Sequence, residues 1–239
     1  MPTTRFPLRA ALLASICSLA LAACQDTAPE PAAPVAAPEA DVAAEDATSE
    51  IDVKLPQMVC GADAFIGPDD TRESLAARFG AENLIEEEFA WVDSSEMALV
   101  LFPSEPASRV EMFWLDKTSG GPRYVRAGGA ESQWIGPGGL FVGATLADVE
   151  AANGGPFEMM GFQNHSAGEV TDWLGGALAA KPGDTCEFAL VLTLPEGVSS
   201  EAAAAVSGNP DTYYRSDSPE MRAANPSVDE LALSFFDPA

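Results

Sequence analysis

The sequence predicts an α+β domain made of duplicated units, each a short helix followed by antiparallel strands, with the helices packed on one face of an antiparallel sheet. Three observations point there. Two segments, Ile66–Gly80 and Val142–Gly154, share one order: apolar residue, glycine, capping residue, short helix, terminating glycine. Each is followed by strand-like runs. Within those runs Val110-Glu-Met-Phe-Trp-Leu115 alternates in polarity and Ala189-Leu-Val-Leu192 is continuously apolar, which suits a sheet with one covered face.

Each element has a local reason. In the first unit Asp70 or Thr71 caps a helix, with Glu73 or Ser74 one turn on, and Leu75 and Phe79 share a face. In the second, Thr145 caps with Asp148 three residues later, and Leu146 and Val149 share a face. Gly80 and Gly154 fit the left-handed position that ends helices. Strands are predicted at 83–89, 97–102, 110–115 and 123–126 after the first helix, and at 157–162, 169–174 and 188–194 after the second. A third helix is predicted over Ser199–Val206, and a closing strand over Glu230–Phe236. Between them Gly208–Ser227 reads as a polar, turn-rich stretch.

Three regions precede or make up this layout: a signal segment at 1–23, a tether at 24–50 and a single domain at 51–239. Arg5 and Arg9 lead into an apolar run from Ala10 to Ala23 that is too short for a stable membrane-spanning helix, which needs about 20 apolar residues. A basic start, a short apolar stretch and small residues at its end mark a secretory signal peptide. Gln25–Glu50 is almost entirely Ala, Pro, Glu, Asp, Thr and Val, with no aromatic and no Lys or Arg, so it reads as a disordered tether. Such a segment reaches roughly 30 Å as a coil.

The whole chain carries a formal charge of −25. Ile51–Ala239 alone holds 30 Asp or Glu against 10 Lys or Arg. That balance opposes nucleic-acid binding, which needs basic surface against phosphates. It suits a basic partner or divalent cations, and it also serves solubility.

Leu21-Ala22-Ala23-Cys24 resembles the lipobox of bacterial lipoproteins. The resemblance implies cleavage before Cys24, diacylglycerol on its sulfur and acylation of the new amino terminus. The partner it implies is a membrane, bound through that lipid; two or more chains anchor stably where one binds marginally. The implied location is the bacterial cell envelope, facing the periplasm. Gln25 at the second mature position, in place of the aspartate that retains enterobacterial lipoproteins in the inner membrane, points to the outer membrane.

Four cysteines are encoded. Cys17 leaves with the signal and Cys24 carries lipid. Cys60 and Cys186 remain in an oxidising compartment and are expected to pair as a structural disulfide. Two cysteines with a single histidine in the chain make a poor zinc set, and the spacing is not Cys-x-x-Cys.

The two glycine–cap–helix–glycine units are similar to the repeats of two periplasmic families, the small lipoprotein of the outer-membrane barrel-assembly complex and the β-lactamase inhibitory protein. Both are binding proteins, so the likeness implies binding rather than catalysis. The run from Trp134 through Gly143, Leu146, Asn153-Gly154, Pro156-Phe157 and Gly161-Phe162 to Trp173-Leu-Gly-Gly-Ala-Leu178 resembles a set of bacterial envelope proteins of unknown function. It implies export and fold, and no activity.

No catalytic set stands out. His165 has no serine elbow to serve, and no phosphate loop, dinucleotide fingerprint or calcium loop occurs. No cofactor and no metal are expected. Aromatics beside glycine-rich turns nominate Trp134, Phe162 and Trp173, with Asn164 and His165, as a binding surface; packing in the core accounts for the same aromatics, and both readings stay open. The leading expectation is a non-catalytic envelope lipoprotein that binds an envelope protein or component. The alternatives are an envelope hydrolase using carboxylates, and a module for a small ligand or divalent cation.

Overall fold

Helix caps organise the structure. We analysed a computed structural model, which describes residues 56–61, 64–90, 94–114, 120–163, 166–181, 184–208 and 212–236. These belong to one unit, Ile51–Ala239. The segments expected to be signal peptide and tether, with Cys24, lie outside the described residues, as do Asn164 and His165.

Helix α1 is Arg72–Phe79, and Thr71 is its cap. Thr71 Oγ1 accepts from Ser74 N at 3.2 Å and Ser74 Oγ accepts from Thr71 N at 3.0 Å, so two orphan amides are satisfied reciprocally. Asp70, the other capping prospect, instead accepts from Gly67 N and pairs with Arg78. Helix α2 is Leu146–Asn153, capped by the same box between Thr145 and Asp148 and closed by Gly154 at φ 78°. Helices α3 (Ser200–Ser207) and α4 (Pro219–Ala224) are capped by Ser199 and Ser218. Proline at the first position of α4 removes an amide that would have no partner there.

The strands are β1 (Leu84–Ala90), β2 (Ser95–Leu101), β3 (Val110–Phe113), β4 (Tyr124–Gly128), β5 (Glu158–Met160), β6 (Val170–Asp172), β7 (Cys186–Thr193), β8 (Tyr213–Arg215) and β9 (Ser227–Phe235). Six form an antiparallel sheet in the order β1-β2-β3-β4-β9-β7, and three form a small antiparallel sheet, β6-β5-β8. The fold is therefore α+β.

The two units diverge after their helices. The strands after α1 form a meander within the large sheet. Those after α2 divide: β5 and β6 join the small sheet, and β7 crosses to the edge of the large one. β5 and β6 are shorter than predicted. Gly161 N donates to Thr212 O, continuing the register with β8, and only at Phe162, whose N donates to Val206 O of α3, does the backbone leave that ladder. The stretch between α3 and β9, expected to be turns, contains β8 and α4. β9 begins three residues earlier than expected.

Strand alternation separates two faces. Leu99, Leu101, Met112, Val125, Leu231, Leu233, Phe188 and Leu190 share one core cluster with Leu75 of α1, Leu146 and Val149 of α2, Val206 of α3 and Met221 of α4. Ala98, Val100, Phe113 and Ala232 are also buried, yet stand outside that cluster on the opposite face. Cys60 and Cys186 form a disulfide with Cα atoms 5.7 Å apart, tying the start of the unit to the first residue of β7. Among the described residues no helix is long and apolar enough to cross a membrane.

Candidate functional site

What covers the second face of the large sheet is a network of charged side chains. Its register comes from the ladder: Glu111 of β3 stands opposite Arg126 of β4, Phe113 opposite Tyr124, and Gly128 of β4 opposite Glu230 of β9. Arg126 Nε donates to Glu111 Oε2 at 2.7 Å, and its Nη1 pairs with Glu230 Oε2 at 3.2 Å. Tyr124 Oη donates to Glu230 Oε1 at 2.8 Å. Arg109 spans Glu111 and, on β1, Glu87. The Arg126 guanidinium also lies over the rings of Phe89 and Phe113, 5.3 and 5.0 Å from their centroids.

The electrostatics follow from this packing. Burial raises the Glu230 carboxyl above its ordinary value, with Arg126 and the Tyr124 hydroxyl pulling the other way. Burial, then the charge and hydrogen bond of Glu230, push the Tyr124 phenol up. Burial works against the charge on Arg126, but Glu230 and Glu111 outweigh it and raise its pKa. Farther along the same face burial raises Glu187, helped by the neighbouring charge of Glu169.

A concavity of about 550 Å³ opens beside this network, lined by Arg109, Glu111, Arg126, Gly128, Asp229 and Glu230, with Glu131 on its wall. Two backbone features create it. Val191 pairs with Glu230 but Leu192 pairs with Val228, so Asp229 is an extra residue in β9. Such a bulge breaks alternation. It sends Val228 into the core while Asp229 and Glu230, though consecutive, both line the concavity. Gly128 places no side chain opposite Glu230; a Cβ there would meet Asp229 O at 3.1 Å.

Of the five residues nominated as a binding surface, the structure describes Trp134, Phe162 and Trp173. Trp134 is 1% exposed, which is the core-packing reading of the two left open for it. Its indole stands edge-on to Phe65, and its Nε1 donates to Ser108 O. Trp173 is half-buried between Phe157 and Phe188, with Nε1 donating to Phe188 O. Phe162 is half-buried against the core. Among the described residues no ring contact joins these three. Each indole N–H finds a backbone carbonyl, which lets the ring pack inward.

Sequence reading missed Glu111, Arg126, Asp229 and Glu230. Their one visible signal is charge inside apolar strands, as in Val-Glu-Met-Phe and Val-Arg-Ala. Among the described residues no group of three or more His, Cys, Asp or Glu side chains is placed to hold a metal ion. Comparison of the chain with family models, curated proteins and solved structures found no match.

Proposed function

We propose that this chain is a lipid-anchored protein of the bacterial envelope whose Ile51–Ala239 unit binds an envelope protein without catalysing a reaction. The observation that carries the reading is the order of a basic start, a short apolar run and Leu21-Ala22-Ala23-Cys24, followed by an acidic, proline-rich segment. Periplasm-facing attachment, in the outer membrane by the Gln25 rule, belongs to the same proposal. The layout of the sheet supports the binding part. Glu111 and Glu230 are held by arginines and a tyrosine rather than presented as a pair of working acids.

The hydrolase alternative rests on a single observation, the raised carboxyl of Glu230 beside an open concavity. A glycan-hydrolysis assay with wild type and Glu230→Gln separates the two readings. Activity lost in the variant favours the hydrolase.

The anchor is tested by mass spectrometry of the amino-terminal peptide from membranes. Diacylglycerol on Cys24, and release of Cys24→Ala to the soluble fraction, support it; an intact 1–23 segment or an unmodified Cys24 overturns it. Mild crosslinking of the anchored protein in its own cells, with Cys24→Ala as control, should recover a defined partner that is lost with the anchor.

A further inference from the structure

Strand β1 is an edge of the large sheet, and among the described residues it pairs with β2 alone. Phe102 N donates to Asn83 O at 2.9 Å, which sets the phase of the ladder. By the alternation of antiparallel pairing, Ile85, Glu87 and Phe89 turn their backbone groups to β2, while Glu86 and Glu88 turn theirs to the open edge. An open edge of this kind is a template for another strand.

Proteins blunt such edges by shortness, bulges, proline or charge. β1 has seven residues, an unbroken register and no proline. It spans about 23 Å. Charge is the device that remains, as Glu86-Glu87-Glu88. Charge is selective where the others are not. A second copy pairing antiparallel about Glu87 would set Glu86 against Glu88, an arrangement that like charges disfavour. A basic strand would set opposite charges there instead.

We propose that the β1 edge accepts an extended basic segment of a partner protein as a seventh strand, with Lys or Arg at alternate positions opposite Glu86 and Glu88. This mode draws affinity from backbone hydrogen bonds and selectivity from alternate side chains. The present partner of Glu86 is Arg72, in a pair whose side chains are 49% and 64% exposed. An exposed pair of that kind is weak and exchanges readily. Glu88 accepts from the Ser95 hydroxyl. On the other face Ile85 and Phe89 flank Glu87, which Arg109 links to the concavity. The net charge of −25 attracts such a segment from a distance.

The inference rests on the reading of the chain as a binding module and deepens it. The test uses the full-length lipidated protein in detergent micelles and three nine-residue peptides: one alternating Lys and Val, one with Glu for Lys, and the Lys–Val peptide N-methylated along one edge. Amide exchange is read at β1. The Lys–Val peptide should slow exchange at Glu86 and Glu88 by about tenfold or more, and the other two should not. The double variant Glu86→Lys with Glu88→Lys, checked for an unchanged melting transition, should prefer the Glu peptide. Glu88→Pro, which removes one outward amide, should bind no peptide.

Three results overturn the proposal: peptide bound without protection of β1; equal protection by the N-methylated peptide; or protection that grows with protein concentration in the absence of peptide, which would make the occupant a second copy. In cells, a crosslinked partner recovered equally from the Glu86→Lys/Glu88→Lys protein sinks the edge and leaves the anchored binder standing. Loss of any partner from wild type sinks the reading beneath it.

Discussion

Arg126 and Glu111 face each other across β3 and β4, joined by a 2.7 Å hydrogen bond on the side of the sheet opposite the core cluster that helices α1–α4 enter. Their side chains are 20% and 16% exposed, and Glu230 on the next strand is 17% exposed. Arg126 lies over Phe113, and Val100 and Ala232, buried on the same face, stand opposite Glu111 and Arg126 in the ladder. Charged side chains have long apolar stems, and Arg126 uses its planar head as well, over Phe89 and Phe113.

Truncating Arg126 leaves Glu111 and Glu230 largely buried without their main counter-charge. Breaking a buried pair from one side costs about 3–5 kcal/mol. Arg126→Ala should lower the urea-unfolding free energy by about that amount. Arg126→Lys, which keeps the charge and loses the planar fork, should fall between. An Arg126→Ala protein as stable as wild type would show that the network contributes nothing to the fold.

Glu230 makes a pH-dependent contribution of defined sign. Its carboxyl is raised by burial, so the folded chain holds this proton at a higher pH than the unfolded chain does. The stability it supplies is fully present below the ordinary carboxylate range, about pH 4, and is lost as pH climbs toward the raised folded value. Glu230→Gln does not titrate. The unfolding free energy of wild type minus that of the variant should therefore fall as pH rises from about 4 toward neutrality. Urea titrations at several pH values measure it, and a difference that rises with pH contradicts the assignment.

The disulfide joins residues 126 apart. In the chain-entropy model a loop of that length is worth about 4–5 kcal/mol. It also holds the segment in which Met58 N donates to Ile135 O at 2.8 Å. Reductant, or Cys186→Ala, should shift the urea midpoint down by a corresponding amount. The same midpoint with and without reductant would show that the pair is not formed in the purified protein.

Asn153 is 1% exposed at the end of α2. Its Nδ2 shares two N–H groups among Gly155 O, Pro156 O and Trp173 O, and its Oδ1 accepts from Leu178 N. It thus fastens the helix end to the loop after β6. Asn153→Ala leaves several buried backbone groups unpaired, at about 1–3 kcal/mol each when no water replaces the lost partner. A loss of about 3 kcal/mol is expected, with amide exchange at Leu178 accelerated. Asn153→Asp, which sets a carboxylate oxygen against the carbonyls that the amide served, should be destabilised at least as much near neutral pH.

Some of this architecture was legible because its causes are local. The boxes Thr71–Ser74 and Thr145–Asp148 span three residues each, and the terminating glycines follow within one helix length. Short-range pattern suffices for such features. Cysteine pairing was legible for another reason: with Cys17 and Cys24 set aside for the expected leader and lipid site, two thiols have one way to pair. The choice between core and surface at Trp134 was not legible, because turn chemistry beside an aromatic does not say which way the side chain points.

What the sequence determined by itself was therefore the α+β class, the ends of α1, α2 and α3, most strands and the Cys60–Cys186 pairing. The tertiary structure decided which strands share a sheet, that the second unit divides between two sheets, and where the charges meet. Tyr124 and Glu230 bond across 106 positions, and Asp229 joins Glu230 at the concavity because β9 slips one residue against β7. Register of this kind comes from summing many weak contacts between distant strands. A one-residue slip moves a side chain to the opposite face, and no local run of residues encodes it.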